Sequence, residues 1–385
     1  MNRADIPLEA AHELARILLD RAGLKSAPDG VNGLRLAIAA RLDALGANDP
    51  LAYVRSLVSG NEPELRALLP LVTVGKTDFF RDPNQFRALR KLMPELLQRV
   101  RREHRQMRIW SAGCATGEEP YSIALLALEL GVLHEELDLL ATDVNPSAVA
   151  SAAQGRFSRK RLAPVPEAQR EQYFVERPDA FYASVALRSM IRFATQNLAG
   201  DDFPAPAAGG HWDLILCRNV IIYFDGPTTS RVMQRFYDLL APGAYLFLGY
   251  SESLYRLFGG FELVEVEGAF LYRRPMKDQK PSPPRAVGEE SVAALRKIID
   301  DRRAQPTVRP PLAERTHPSP VPRVVPPPSR RPADAPALAP PGPGLELRWT
   351  DARLTGGSPG DRLDAKDYGI AARLAARETL AWLEG

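Results

Sequence analysis

Five short stretches bring together side chains whose types and spacing could do chemistry. The first is RIWSAGCATGEEP, Arg108 to Pro120, where an apolar strand pattern meets a turn holding Gly113 and Gly117, then Glu118, Glu119 and Pro120. Glycines there permit a tight turn and close approach of a ligand to the backbone. A pyrophosphate suits this turn poorly: the spacing is not G-x-G-x-x-G, and two carboxylates in the first helical turn would repel phosphate. A cofactor with a nucleoside but no phosphate fits better, and S-adenosylmethionine is the common one. A plain glycine-rich strand–helix turn is the alternative reading.

The second stretch is LDLLATDVN, which puts Asp143 at the end of the next strand. In a doubly wound sheet an acid here faces the ribose bound at the first turn and can accept from both hydroxyls. It could instead cap the helix that starts at Pro146, but its pairing with the preceding glycine turn favours the ligand. The third, FATQNLAGDDF, sets Asn197 after a strand, where an amide suits an adenine edge or serves simply as a turn residue. The fourth, WDLILCRNVIIYFD, delivers Arg218, Asn219 and Val220 at the carboxyl end of a strand, with Tyr223 following as a site residue or as core packing. The fifth, VTVGKTDFFRDPNQF, carries Gly75, Thr77 and Arg81 beside the adjacent Phe79 and Phe80. Those rings could anchor the segment, one to each flanking domain, and aim Arg81 into the cleft between. Its alternative is a surface pair of Arg81 with Asp82 worth little.

The elements that must position these residues change character along the 385-residue chain. Leu14, Ile17 and Leu18 share one helical face that Gly23 stops, and Leu34, Ile38, Leu42 and Leu45 share another before Gly46. With the patterns at Leu51–Val58 and Leu65–Val72 they predict an all-helical domain over 1–73, followed by a linker and connecting helix over 74–105 (helix near Gln85–His104). Apolar strands are predicted at Met107–Ser111, Leu137–Thr142, Met190–Ala194, Trp212–Cys217, Ala244–Gly249 and Ala269–Arg273. Helical patterns at Glu118–Leu130, Pro146–Ala153 and Thr228–Leu240 separate several of them. That alternation predicts an α/β domain over 106–275, a parallel sheet with helices on both faces. A polar interruption with β-like pieces (Gln172–Glu176, Phe181–Leu187) reads as a small inserted subdomain.

Beyond Pro275 the composition shifts: 18 of the 35 prolines lie in the last 110 residues, 14 of them between Pro306 and Pro343. Such a tail, 276–385, is expected to be an extended, largely disordered arm with short helical patterns at Glu290–Arg303 and Ala365–Leu383. From Met276 onward 18 Lys/Arg stand against 14 Asp/Glu, leaving 32 against 33 in the preceding part. The folded part therefore lacks the basic excess of a nucleic-acid binder. Two cysteines, Cys114 and Cys217, exclude a disulfide framework, and five scattered histidines argue against a metal site. No apolar run reaches bilayer-spanning length and no signal segment opens the chain, so a cytoplasmic protein without membrane insertion is expected.

In this order, FFRDP (Phe79–Pro83), TGEEPYSIA (Thr116–Ala124) and CRNVIIYF (Cys217–Phe224) resemble the chemotaxis-receptor methyltransferase family, the CheR-type S-adenosylmethionine-dependent protein-glutamate O-methyltransferases. The likeness spans about residues 8–273. It implies a Rossmann-like class I methyltransferase sheet, preceded by the all-α domain and carrying a small antiparallel β-subdomain at about 157–192. It also implies that Gly75, Thr77, Arg81, Glu118, Asp143, Asn197, Leu198, Asn219 and Val220 contact S-adenosyl-L-methionine, with S-adenosyl-L-homocysteine as product. Arg81 and Tyr223 would lie near the transferred methyl. The implied partner is the cytoplasmic domain of methyl-accepting chemotaxis receptors, met by a monomer.

Two departures bear on the partner. Where the family carries several arginines on its second helix, GLRLAIAARLDALG has only Arg35 and Arg41, with Asp43 added. Six positions separate those arginines by about 240° around an ideal helix, so they form no single stripe. The loop VERPDAFYAS (Val175–Ser184) is short and lacks glycine, which argues against tethering of a receptor pentapeptide there. Rival readings are a catalytically weak regulatory protein of a receptor array, a nicotinamide oxidoreductase and a nucleic-acid methyltransferase. The turn spacing disfavours the second and the charge balance the third.

Overall fold

A computed structural model describes residues 6–276 apart from Ser26 and Pro28. Four helices come first: α1 (Leu8–Ala22), α2 (Gly30–Leu45), α3 (Pro50–Val58) and α4 (Glu62–Val72). Their apolar faces close a core of their own around Leu14, Leu18, Ile38, Leu42 and Leu68. Gly23 ends α1 at φ 69°, its N–H donating to the carbonyl of Leu19. Arg41 grips Glu64 through two hydrogen bonds of 2.7 and 2.9 Å, and Tyr53 donates to the same carboxylate at 2.9 Å. Arg35 donates to the carbonyl of Ile6 at 2.8 Å. Both arginines of α2 thus brace their own domain.

The α/β part runs α5 (Pro83–Arg102), β1 (Met107–Ala112), α6 (Glu118–Glu129), β2 (Leu137–Asp143), α7 (Pro146–Gln154), then an insertion, β6 (Ile191–Thr195), β7 (Trp212–Cys217), α10 (Gly226–Leu239), β8 (Leu240–Leu248), β9 (Glu262–Val266) and β10 (Ala269–Arg273). Strand order is β6-β2-β1-β7-β8-β10-β9. Five strands are parallel, but β10 pairs antiparallel with β8 and β9, so the sheet is mixed where a parallel one was expected. The unanticipated β9 is a half-exposed edge strand bounded by charged residues, which weakens its apolar signature. Alternation along β1 sends Ile109 into one core and Trp110 into the other; Leu216 and Ile215 of β7 divide likewise. Both faces are buried, as the helices between strands require.

The insertion forms a second sheet, β3 (Arg156–Phe157), β5 (Phe181–Ala183) and β4 (Phe174–Glu176) in that order, with α8 (Glu167–Tyr173) and α9 (Val185–Ser189). The β-like pieces are shorter than predicted. Gln172 and Tyr173 finish α8, and Ser184 accepts from the Leu187 N–H to cap α9, cutting β5 off at Ala183. Phe79 packs edge-on against Phe157 and Phe174 of this subdomain at 4.9 and 6.1 Å, while Phe80 meets Phe86 of α5 at 5.3 Å. Neither ring enters the helical domain's core, which corrects the expectation that each would anchor a different flanking domain. The tail helices expected at Glu290–Arg303 and Ala365–Leu383 lie outside the described residues.

Candidate active site

The chain order builds outward from β1 to β2 and β6 and then jumps back to β7, so the topology switches between β1 and β7. Ligands in open α/β sheets bind at the carboxyl ends of strands at such a point. A cavity of about 970 Å³, its open mouth included, lies there.

The glycine turn after β1 forms one wall. Gly113 has φ 93°, and a Cβ on it would come within 2.3 Å of a methyl of Val220. The turn spends its N–H groups internally: Gly113 and Cys114 donate to the carbonyl of Thr142 at 2.7 and 2.8 Å, and Gly117 to that of Cys114. Ala115 donates to Asp143 Oδ2 at 2.9 Å, and Asn145 to Oδ1 at 2.9 Å. The N–H groups of Gly113, Cys114, Ala115 and Gly117 are thus already taken and cannot cradle a phosphate. Asp143 does not cap α7; Asn145 does, accepting from Ser147 and Ala148. The Asp143 carboxylate is instead oriented at the cavity wall by two amides. Burial pushes its pKa up, against the downward pull of the amides.

Thr77, Arg81, Asp143 and Asn197 all line this cavity, as do Leu198, Asn219, Val220 and Tyr223. Asn197 serves as a turn residue, one of its two readings, its Oδ1 accepting from the Ala199 N–H at 3.0 Å, and it also lines the cavity. Two expected residues are elsewhere. Gly75 is exposed and touches no wall, the adjoining Val74 and Lys76 lining the cavity instead. Glu118 is buried away from it, bonded to Thr116 and to Arg161 of the inserted subdomain. Its neighbour Glu119 takes the wall position. Adjacent residues in a helical turn point about 100° apart, and spacing alone does not say which one faces inward.

Glu119 accepts from Ser111 at 2.7 Å and from Arg218 at 3.1 Å. Burial raises its pKa, with Arg218 the main opposing influence. Arg218 also donates to the backbone carbonyl of Arg81 and lies over the Phe86 ring at 5.6 Å. Tyr223 is half-buried; burial lifts its phenol pKa while Arg81 pulls it down. Burial drives the thiols of Cys114 and Cys217 well up, so neither is an activated nucleophile.

The helical domain completes the enclosure. Ala22 and Leu24 line the cavity; Arg21 offers its carbonyl to Asn197 Nδ2 at 2.6 Å, and the Lys25 N–H donates to the carbonyl of Tyr223 at 2.8 Å. No sequence motif marked this contribution. The charged lining is balanced, Lys76, Arg81 and Arg218 against Asp78, Glu119 and Asp143. Balanced formal charge and a carboxylate held beside the glycine turn suit a nucleoside sulfonium.

Fold and cavity together define a class I, nucleoside-cofactor methyltransferase. The family described as "CheR methyltransferase, SAM binding domain" matches residues 75–270. A probable biofilm formation methyltransferase, WspC of Pseudomonas aeruginosa, is 30% identical over 321 residues, covering 83% of this chain and 74% of that one. Chemotaxis protein methyltransferase 2 of Vibrio cholerae is 36% identical over 231 residues (58% and 77%), and the Salmonella typhimurium chemotaxis protein methyltransferase 32% over 266 (67% and 89%). The chain belongs to the CheR methyltransferase family and is an S-adenosylmethionine-dependent methyltransferase. Among the described residues no helix is long and apolar enough to cross a membrane.

Proposed function

We propose that the chain transfers a methyl group from S-adenosylmethionine to glutamate side chains in the cytoplasmic domain of methyl-accepting chemotaxis receptors, giving glutamate methyl esters. The carrying observation is that Arg81 and Tyr223, from distant parts of the sequence, line one cavity with Asp143. Asp143 would hold the ribose hydroxyls, and Asn197 with Leu198 the adenine edge, with Thr77, Asn219 and Val220 closing around the rest. The bound cofactor supplies an electrophilic methyl on a sulfonium. A glutamate carboxylate is ionised near neutral pH, its reference pKa being about 4.3. No general base is therefore needed, and the residues' task is in-line positioning and partial desolvation. Arg81 holds the incoming carboxylate. Tyr223, a phenol protonated near neutral pH, donates a hydrogen bond beside the methyl's path.

The name of the WspC relative assigns that protein to biofilm formation; a receptor array outside motility is therefore within this reading. Neither Arg35 nor Arg41 is spare for an acidic helix, since both bond within their own domain. That observation favours a second reading, a cofactor-binding regulatory protein with weak catalysis. Mass spectrometry of receptor cytoplasmic fragments incubated with the enzyme and cofactor separates them. Methyl esters at glutamates, reversed by mild base, support the enzyme; tight S-adenosylhomocysteine binding with no ester on any fragment supports the regulator.

A further inference from the structure

The segment Asn219–Tyr223, which supplies three cavity residues, is held by a side chain that does not touch the cavity. Glu252 follows β8 and is buried. Its Oε2 accepts from the N–H groups of Gly249 at 2.6 Å and Asn219 at 2.7 Å; its Oε1 accepts from Val220 at 2.9 Å and Ile222 at 3.2 Å. One carboxylate thus satisfies four backbone donors. Asn219 sits at φ 60°, in the left-handed region that a side-chain-bearing residue seldom adopts. A loop bent that way, with its N–H groups turned inward, needs an anion at its centre. The seat is built to fit: a Cβ on Gly249 would stand 2.8 Å from Glu252 Oε2 and 2.8 Å from Asn219 Nδ2.

We propose that Glu252 is a positioning residue for cofactor binding, fixing Asn219, Val220 and Tyr223 against the cavity through the amides it gathers. The inference rests on that cavity being the S-adenosylmethionine site. It concerns the loop's order rather than chemistry, because Glu252 reaches neither reactant. Glutamine has the same shape but only one accepting oxygen, and its amide would direct N–H groups at N–H donors.

The test uses the full chain as Glu252→Gln and as Gly249→Ala, the second leaving the carboxylate in place but crowding its seat. Hydrogen exchange of the residue 219–222 amides and calorimetric S-adenosylhomocysteine affinity are read together. Glu252→Gln is expected to speed exchange at those amides at least about tenfold and to weaken affinity about 10- to 100-fold, with β1 and β2 amides still protected. Gly249→Ala is expected to move both readouts the same way. Affinity and local exchange within about twofold of the parent in a folded variant would overturn the proposal, as would uniform loss of protection across the sheet with affinity unchanged per folded molecule. If Glu252→Gln does not fold, Gly249→Ala decides. A parent chain that binds the product yet methylates no receptor fragment would count against the proposed substrate and leave this inference standing.

Discussion

The guanidinium of Arg218 donates to the backbone carbonyl of Arg81, 137 positions earlier in the chain. That bond pins a bend in which the residues on either side of Arg81 are both left-handed, Phe80 at φ 50° and Asp82 at φ 64°. The Phe80 N–H is held in turn by Ser122 Oγ at 2.9 Å. Arg81 is therefore presented from a clamped, unfavourable backbone. Its own guanidinium steadies the bend by donating to the Lys76 carbonyl at 3.2 Å.

Replacing the clamp should cost activity by freeing the bend that presents Arg81. Arg218→Lys keeps the charge beside Glu119 but not the fork that spans Glu119 and the Arg81 carbonyl. Turnover is expected to fall about 10- to 100-fold, equivalent to roughly 1.4–2.8 kcal/mol in the barrier. Steady-state methylation kinetics check this. Unchanged turnover in a folded variant would show that the bend holds itself.

The proposed hold of Asp143 on the cofactor's sugar would make cofactor binding depend on pH. Ordinary aspartate ionises near pH 3.9, and burial places Asp143 above that value. Only the ionised form accepts from both hydroxyls, so S-adenosylhomocysteine affinity should decline on acidification from a higher pH than an exposed aspartate would give. Asp143→Asn should bind about 10- to 100-fold more weakly and lose that component of the pH dependence, since an amide leaves one donor facing the backbone N–H groups. The sign for stability is opposite. A carboxyl with a raised folded-state pKa takes its proton first in the fold, so its contribution is present at acid pH and is lost as pH rises through the folded value. Calorimetry and thermal melts, each followed upward from acid pH, read the two effects separately.

Gly23 is where the helical domain meets the cavity. A Cβ there would lie 2.9 Å from Thr228 Cγ2 and 3.0 Å from the Ala199 Cβ, at a φ that branched residues avoid. Gly23→Val should wedge α1 away from the sheet and disturb the Arg21–Asn197 and Lys25–Tyr223 bonds beside it. Weaker cofactor binding, by about tenfold or more, is expected as the overpacking cost of roughly 1–3 kcal/mol is relieved by displacement. Equal affinity in calorimetry would mean that the helical domain closes the cavity without ordering it.

The sheet was legible because its strands carry a short-range signal. Trp212–Cys217 and Ala269–Arg273 coincide with predicted boundaries, since apolar runs between turn residues leave little choice. Asp143 and Tyr223 were legible as candidates because strand ends and turns are marked locally. What distance along the chain conceals was not. Glu119 rather than Glu118 faces the cavity, and Glu118 bonds instead to Arg161 of the insertion, a partner distant in sequence. The wall made by Ala22 and Leu24 depends on how α1 docks, and the seat of Glu252 on four amides whose positions only the fold fixes. The edge strand β9 turns only Val264 and Val266 toward the core, too short an alternation among glutamates to announce it.

The most direct measurement is methyl transfer from label-bearing S-adenosylmethionine to receptor cytoplasmic fragments by the parent chain and by Arg81→Ala. The parent is expected to place base-labile label on glutamates. Arg81→Ala should lose most of that turnover, about 100-fold or more if a charged contact to the incoming carboxylate is removed. Label that appears at the same rate with Arg81→Ala, or that resists base, would contradict the account.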